Sequence, residues 1–192
     1  MMKAPLIYAA IAILFVSCEK EKQTEDLNPD KNTVTLTNLI SNSGFEIIGQ
    51  PSISNWSFVD GPCSIDTFSN DVPTGGGVSS LKLEPLWLPA EGAVETYITG
   101  LTCNCPFRLN FQAKCINLID PLVSASVYIK AVSIASIPAL SFYNTQWTPY
   151  VLFTPTFNLT TSDTLVVKLS AGSTEVANWQ VLFDQVELYQ LP

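Results

Sequence analysis

The chain has 192 residues, 47% of them hydrophobic and only 14% charged, with a net charge of −8 and no histidine. That length fits one ordinary domain with appendages, and the hydrophobic share is enough for a full core. The acidic balance argues against nucleic acid, which needs a basic footprint, and the lack of histidine removes the Ser-His-Asp triad and every His-containing zinc site.

Met1-Met2-Lys3 is a short positive start, and Leu6 to Val16 is an apolar run that ends at Ser17-Cys18. The run is too short to span a bilayer comfortably and fits the apolar core of a signal peptide. The pattern resembles a bacterial lipoprotein signal, with Phe15 where Leu is more usual. The resemblance implies a signal peptide over residues 1–17, cleavage before Cys18 and lipidation of its thiol. The alternative is an ordinary secretory signal with a free or buried Cys18. Glu19 to Asn32 is polar with almost no apolar residue, so residues 18–33 are expected to form a flexible tether. Acidic residues just after Cys18 resemble the surface-export pattern of Bacteroidota lipoproteins, which implies an outer-membrane, cell-surface location; a plain solvated linker is the alternative. Lipid would supply the membrane anchoring.

Residues 34–192 read as a run of short strands. Val34 to Ile40 alternates apolar and polar, and Ser41-Asn42-Ser43-Gly44 is a turn cluster in which Asn and Gly accept positive φ. Short strands are predicted over Asn55 to Val59 and Cys63 to Phe68, then a turn-rich loop from Ser69 to Gly77. Ser79 to Leu83 and Val94 to Ile98 follow. Phe107 to Cys115 alternates most cleanly, with Arg108, Asn110, Gln112 and Lys114 on one side. Leu122 to Val132 is rich in β-branched residues. Trp147 to Phe153, Thr164 to Leu169 and Trp179 to Tyr189 complete the set. Strands this short, separated by turn signals, indicate a sandwich or barrel.

The order of the pieces resembles the jelly-roll carbohydrate-binding modules of families four, nine and twenty-two, among the galactose-binding-like sandwiches. The matching stretches are Asn38 to Glu46, Asn55-Trp56, Ser80 to Leu83, Ile98 to Leu101, Phe107 to Lys114, Trp147 to Tyr150 and Phe183 to Leu188. The resemblance implies an all-β fold, a two-sheet antiparallel β-sandwich. It also implies a structural Ca²⁺ near the sandwich end, held by Glu46 and Asp184 with Gly44 as a carbonyl donor. Calcium takes about six to eight oxygen ligands, many from backbone. Gln185 stands where the family commonly has a second Asp. The competing reading is that Glu46 and Asp184 cap turns.

Sugars are held by flat aromatics and planar polar side chains. The resemblance places Trp56 and Trp147 in the core. Trp87 lies on a loop between Pro85 and Pro89 and is a candidate platform, or else a plug of the sandwich end. Trp179 lies in the closing strand, either in the core or on the surface. Arg108, Asn110, Gln112 and Lys114, with Tyr128 and Lys130 on a strand expected in the same sheet, form a candidate glycan-binding row. A solvated sheet face is the alternative. Shared placement of the strand lysines and Arg108 would suit a carboxylated or sulfated glycan.

After Cys18 four cysteines remain, at 63, 103, 105 and 115. In an exported chain one or two disulfides involving Cys63 are expected, with Cys103 and Cys105 too close to pair with each other and Cys115 a buried thiol. Catalytic motifs are not found. A hydrolase needs carboxylates about 5–9.5 Å apart across a cleft, and nothing in the sequence brings any two of Asp66, Asp71, Glu84, Glu91 and Glu95 together. The expected function is a non-catalytic surface lipoprotein that captures carbohydrate for an outer-membrane uptake complex. The alternative is a structural or adhesion module that contacts another outer-membrane protein.

Overall fold

A computed structural model of the chain describes residues 36–59, 67–84, 91–116, 121–130, 144–173 and 180–192. Among these residues no helix occurs. The strands are β1 (Glu46–Ile47), β2 (Gln50–Pro51), β3 (Ser57–Phe58), β4 (Thr67–Ser69), β5 (Ser80–Leu83), β6 (Glu91–Thr99), β7 (Cys103–Cys105), β8 (Phe107–Ile116), β9 (Pro121–Lys130), β10 (Thr148–Phe153), β11 (Phe157–Leu159), β12 (Thr164–Ser173) and β13 (Gln180–Gln190). Sheet order is β10-β8-β13-β5-β4 in one layer and β3-β6-β12-β9 in the other, with small pairs β1-β2 and β11-β7. The strand pairs within these two layers are antiparallel.

Strict alternation marks β8 as a core strand of the five-stranded layer. Phe107, Leu109, Phe111, Ala113 and Cys115 are buried, while Arg108, Asn110, Gln112 and Lys114 are half-buried on the other side. Successive side chains of a strand point to opposite faces, so one face enters the core. That face meets Val94, Val127, Leu165, Val167 and Leu169 of the opposing sheet in one core cluster. This is the two-sheet β-sandwich expected from the sequence.

Within the described part of the first predicted strand, residues 36–40, one bridge forms, Asn38 to Tyr189. The Asn38 side chain explains this, because its Oδ1 accepts from both Ile40 N and Leu188 N and replaces ladder bonds. Even so, the opening stretch is zipped to β13, since Leu39 N donates to Leu188 O and Val186 N donates to Ser43 O. The left-handed residue of the opening turn is Phe45 (φ 52°), not Gly44. Phe45 is fully buried, 5.1 Å from the Trp56 ring, and its carbonyl accepts from Ser52 N; these contacts hold it there.

Two expectations are corrected. Tyr128 and Lys130 do not share a sheet with β8, because β9 pairs with β12 at the edge of the four-stranded layer. The composition of Leu122 to Val132 announces a strand, but sheet membership depends on long-range pairing. Cys103 and Cys105 are joined to each other. On β7 residues two apart share a face, and their Cα atoms lie 5.5 Å apart, within the span of a disulfide. Cys115 is a buried thiol, as expected. Cys63 lies outside the described residues.

Candidate functional site

Two neighbouring features stand out, one at the end of the sandwich and one on the outer face of the five-stranded sheet. At the end, Ser41 to Gly44, Glu46, Gly75 to Gly77, Gln185 and Glu187 line a cavity of about 520 Å³. Asn42 builds its wall: its Nδ2 donates to Ser52 O and Ser54 O, its Oδ1 accepts from Glu46 N, and Trp56 Nε1 donates to its carbonyl. Asp184 sits where β13 breaks register, next to Gln185 at φ 50°. It is fully buried, Oδ1 accepts from Gln185 N at 2.7 Å, and Oδ2 has no partner. Burial pushes its carboxyl up to about 7; the Gln185 amide opposes this and the nearby Glu46 charge adds to it.

The glycine loop closes over this pair. A methyl group on Gly76 would collide with Asp184 Oδ2 and the Pro73 ring, and one on Gly77 (φ 79°) with the Glu46 carboxylate. Glu46 Oε2 accepts from Val78 N at 2.6 Å. Among the described residues no three acidic or thiol side chains cluster around a metal position. The set is two carboxylates plus backbone, with an orphaned buried oxygen. That donor chemistry fits a hard cation. Gln185 does not add a charge here; its Nε2 donates to Thr74 O at 3.4 Å and ties the loop to β13.

The second feature lies on the sheet face turned away from the core. Phe153, Arg108 and Tyr189 are cross-strand neighbours on β10, β8 and β13. Phe153 is 61% exposed, and the Arg108 guanidinium lies 5.0 Å from the Tyr189 ring centroid. Val151, Asn110 and Glu187 form the next row, with Val151 exposed. Arg108 Nε and Asn110 Oδ1 are buried without hydrogen-bond partners. At the far end Lys114 pairs with Asp71, and Trp147 Nε1 donates to the same carboxylate at 2.8 Å. Burial acts to raise Asp71, but the bonds from Lys114 and Trp147 prevail and hold its carboxyl below the ordinary value.

The structure therefore brings Arg108, Asn110, Gln112 and Lys114 together and separates Tyr128 and Lys130 from them. Trp87 and Trp179 lie outside the described residues, as does Cys18. Gly44, Glu46 and Asp184 converge, with Asp184 Oδ1 3.6 Å and Glu46 Cγ 3.7 Å from where a Gly44 Cβ would stand. Trp147 is not in the core; it is half-buried beside Asp71. Phe153, Tyr189, Asp71 and Trp147 join this face without having been expected there. Parity alone could have found Phe153, since alternation through Tyr150-Val151-Leu152-Phe153 puts Val151 and Phe153 on one side. The charge expectation also changes. Lys114 is paired with Asp71, and Lys82 with Glu84 at 2.8 Å, so two of the three basic side chains described in this sheet are compensated.

No protein-family model matches the sequence, and no curated protein matches it. Solved structures do match. A family 61 carbohydrate-binding module in complex with beta-1,4-galactotriose is 13% identical, with a TM-score of 0.54 over 81% of this chain and 99% of that one. A xylan-binding family 22 module from Paenibacillus barcinonensis is 13% identical, with a TM-score of 0.53 over 73% and 94%. The enzymatically active domain of bacteriophage CBA120 tailspike protein 4 is 20% identical, with a TM-score of 0.58 over 80% of this chain and 21% of that one. The fold is that of the jelly-roll carbohydrate-binding modules. The chain spans about a fifth of the tailspike domain, and enzymes share the architecture, so fold alone does not decide catalysis.

Proposed function

We propose that the chain is a non-catalytic, lipid-anchored surface protein that binds carbohydrate on the outer face of its five-stranded sheet. The observation that carries this reading is the orphaned pair, Arg108 Nε and Asn110 Oδ1, beside exposed Phe153 and Val151. The first is a donor and the second an acceptor. Both atoms are covered in the free chain, and a rotation of these two half-buried side chains would turn them to sugar hydroxyls, one accepting from Arg108 and another donating to Asn110, while the Phe153 ring covers an apolar sugar face. A carboxylate or sulfate would satisfy only the donor. With both lysines compensated, an uncharged glycan suits this face better than an anionic one. The carbohydrate-binding modules that share the fold support the same reading.

Glu46 and Asp184 would hold a Ca²⁺ at the sandwich end, where it would neutralise two facing carboxylates. Lipidation of Cys18 and a place at the outer membrane, beside an uptake complex, belong to the same proposal and rest on the N-terminal sequence.

Affinity electrophoresis in gels with neutral and with uronic-acid polysaccharides tests the binding. Retardation by at least one neutral polysaccharide, lost in Arg108→Ala, is expected. Migration unchanged by every neutral polysaccharide would sink the reading. It would favour the rival, a module contacting another outer-membrane protein, for which the fully exposed Ile48 at the tip of the β1-β2 hairpin (97% exposed, φ 52°) is the best argument.

A further inference from the structure

The segment from Asn70 to Ser79, between β4 and β5, touches both features described above. At one end Gly76 and Gly77 lie against Asp184 and Glu46 with no room for a methyl group, and Val78 N is bonded to Glu46. Ser79 Oγ donates to Phe45 O. At the other end Asp71 accepts from Trp147 and Lys114, and its carbonyl accepts from Ser80 Oγ at 2.7 Å. A turn with Gly76 N bonded to Pro73 O joins the two ends.

We propose that this loop makes Asp71 a positioning residue through which a cation at Glu46 and Asp184 sets Trp147 and Lys114 on the ligand face. The Glu46 and Asp184 side chains both lie against the Gly76-Gly77 turn, and a divalent cation bound between them would draw their oxygens, and the loop packed on them, together. The loop is packed on those carboxylates, so its docked position depends on what neutralises them. Asp71 moves with the loop. Its carboxylate fixes the Trp147 indole and cancels the Lys114 charge, and both effects are required for a flat, uncharged sugar subsite at that end of the row. The consequence for binding rests on the carbohydrate reading; the link between cation and Trp147 does not.

Calcium titration of the chelated chain, followed in parallel by calorimetry and tryptophan emission, tests the link. Emission is expected to change along the calorimetric isotherm. Trp147→Phe is expected to remove most of that change, and Asp71→Asn to remove it while calcium binding is kept. If Asp71→Asn fails to fold, Ser80→Ala replaces it: the carboxylate stays, the bond to its carbonyl goes, and a weakened emission response is expected. In the unaltered chain calcium should strengthen binding of a neutral polysaccharide by about tenfold, in the usual range for coupled sites, and the polysaccharide should strengthen calcium binding equally. Absence of calcium heat overturns the proposal. So does an emission change that survives Trp147→Phe, or one that survives both loop variants. A Trp147 response in a chain that binds no polysaccharide supports the link and refutes the carbohydrate reading instead.

Discussion

Replacing Asp184 by Asn should stabilise the calcium-free protein and destabilise it relative to the original once calcium is present. The reason is the buried oxygen that no donor meets. Burial moves the Asp184 carboxyl from an ordinary 3.8 to about 7. Between those values the folded chain keeps a proton that the unfolded chain has released. Stability contributed by the protonated form is therefore complete below pH 3.8 and is lost as pH rises to about 7. A difference of this size is worth roughly 4 kcal/mol. Asn carries no charge and avoids this loss, but its amide nitrogen enters a place without a defined acceptor, which costs about 1–3 kcal/mol. A net gain of about 2 kcal/mol at pH 8 remains, or about 4–8 °C in Tm for a domain of this size. Calcium at a hundred times its Kd would add about 2.7 kcal/mol to the original chain and nothing to a variant that cannot bind it. The order of the two melting temperatures should thus reverse between chelator and calcium at pH 8. In chelator at pH 4 the advantage of Asn should vanish. A variant less stable than the original in chelator at pH 8, or one that gains equally from calcium, would show that the Asp184 carboxylate is not the source of the difference.

Phe153→Ala should weaken binding of a neutral polysaccharide about tenfold, or roughly 1.4 kcal/mol, while the melting temperature stays put because the ring is exposed; affinity electrophoresis and thermal melts check both halves. Asn42→Ala should cost about 1–3 kcal/mol in urea unfolding, since the buried amide is lost and the half-buried Ser52 carbonyl and Glu46 amide lose their partner. Native Cys115 should resist alkylation at pH 8, because burial pushes its thiol up to about 11, and should react once the chain is unfolded. Intact mass of the unreduced, alkylated chain should show Cys103 and Cys105 protected, and reduction should release both.

Much of the sandwich is legible because its strands carry their own pattern. The alternation from Phe107 to Cys115 fixes which side chains enter the core whatever the partner strand. The same logic places Leu81 and Leu83 inside. What the pattern does not contain is the partner. Nothing local to Tyr128 says that β9 pairs with β12 and not β8, because hydrogen bonds between strands are made by backbone that every residue shares. Short strands such as β7 and β11 are hidden for a related reason. Three residues give only one alternation, and here the pairing of Phe157 with Cys105 and of Leu159 with Cys103 supplies the rest.

The two carboxylates are visible in the sequence through a family pattern, whereas the glycines that complete their setting read only as a turn. Gly76 and Gly77 leave no room for a side chain, and the sequence does not say which atoms fill that room. In the folded chain those atoms are the Glu46 and Asp184 oxygens and the Pro73 ring. By sequence Asp71 is one of several candidate hydrolase carboxylates and Trp147 a core residue. Their meeting across 76 positions of sequence gives each another role: the carboxylate is neutralised by Lys114 and bonded to the indole, which leaves it a weak base. An Asp held below its ordinary value by two donors is poorly suited to take up a proton and well suited to hold a ring in place. Asp71 is therefore a poor general base, and holding the indole is the role its surroundings fit.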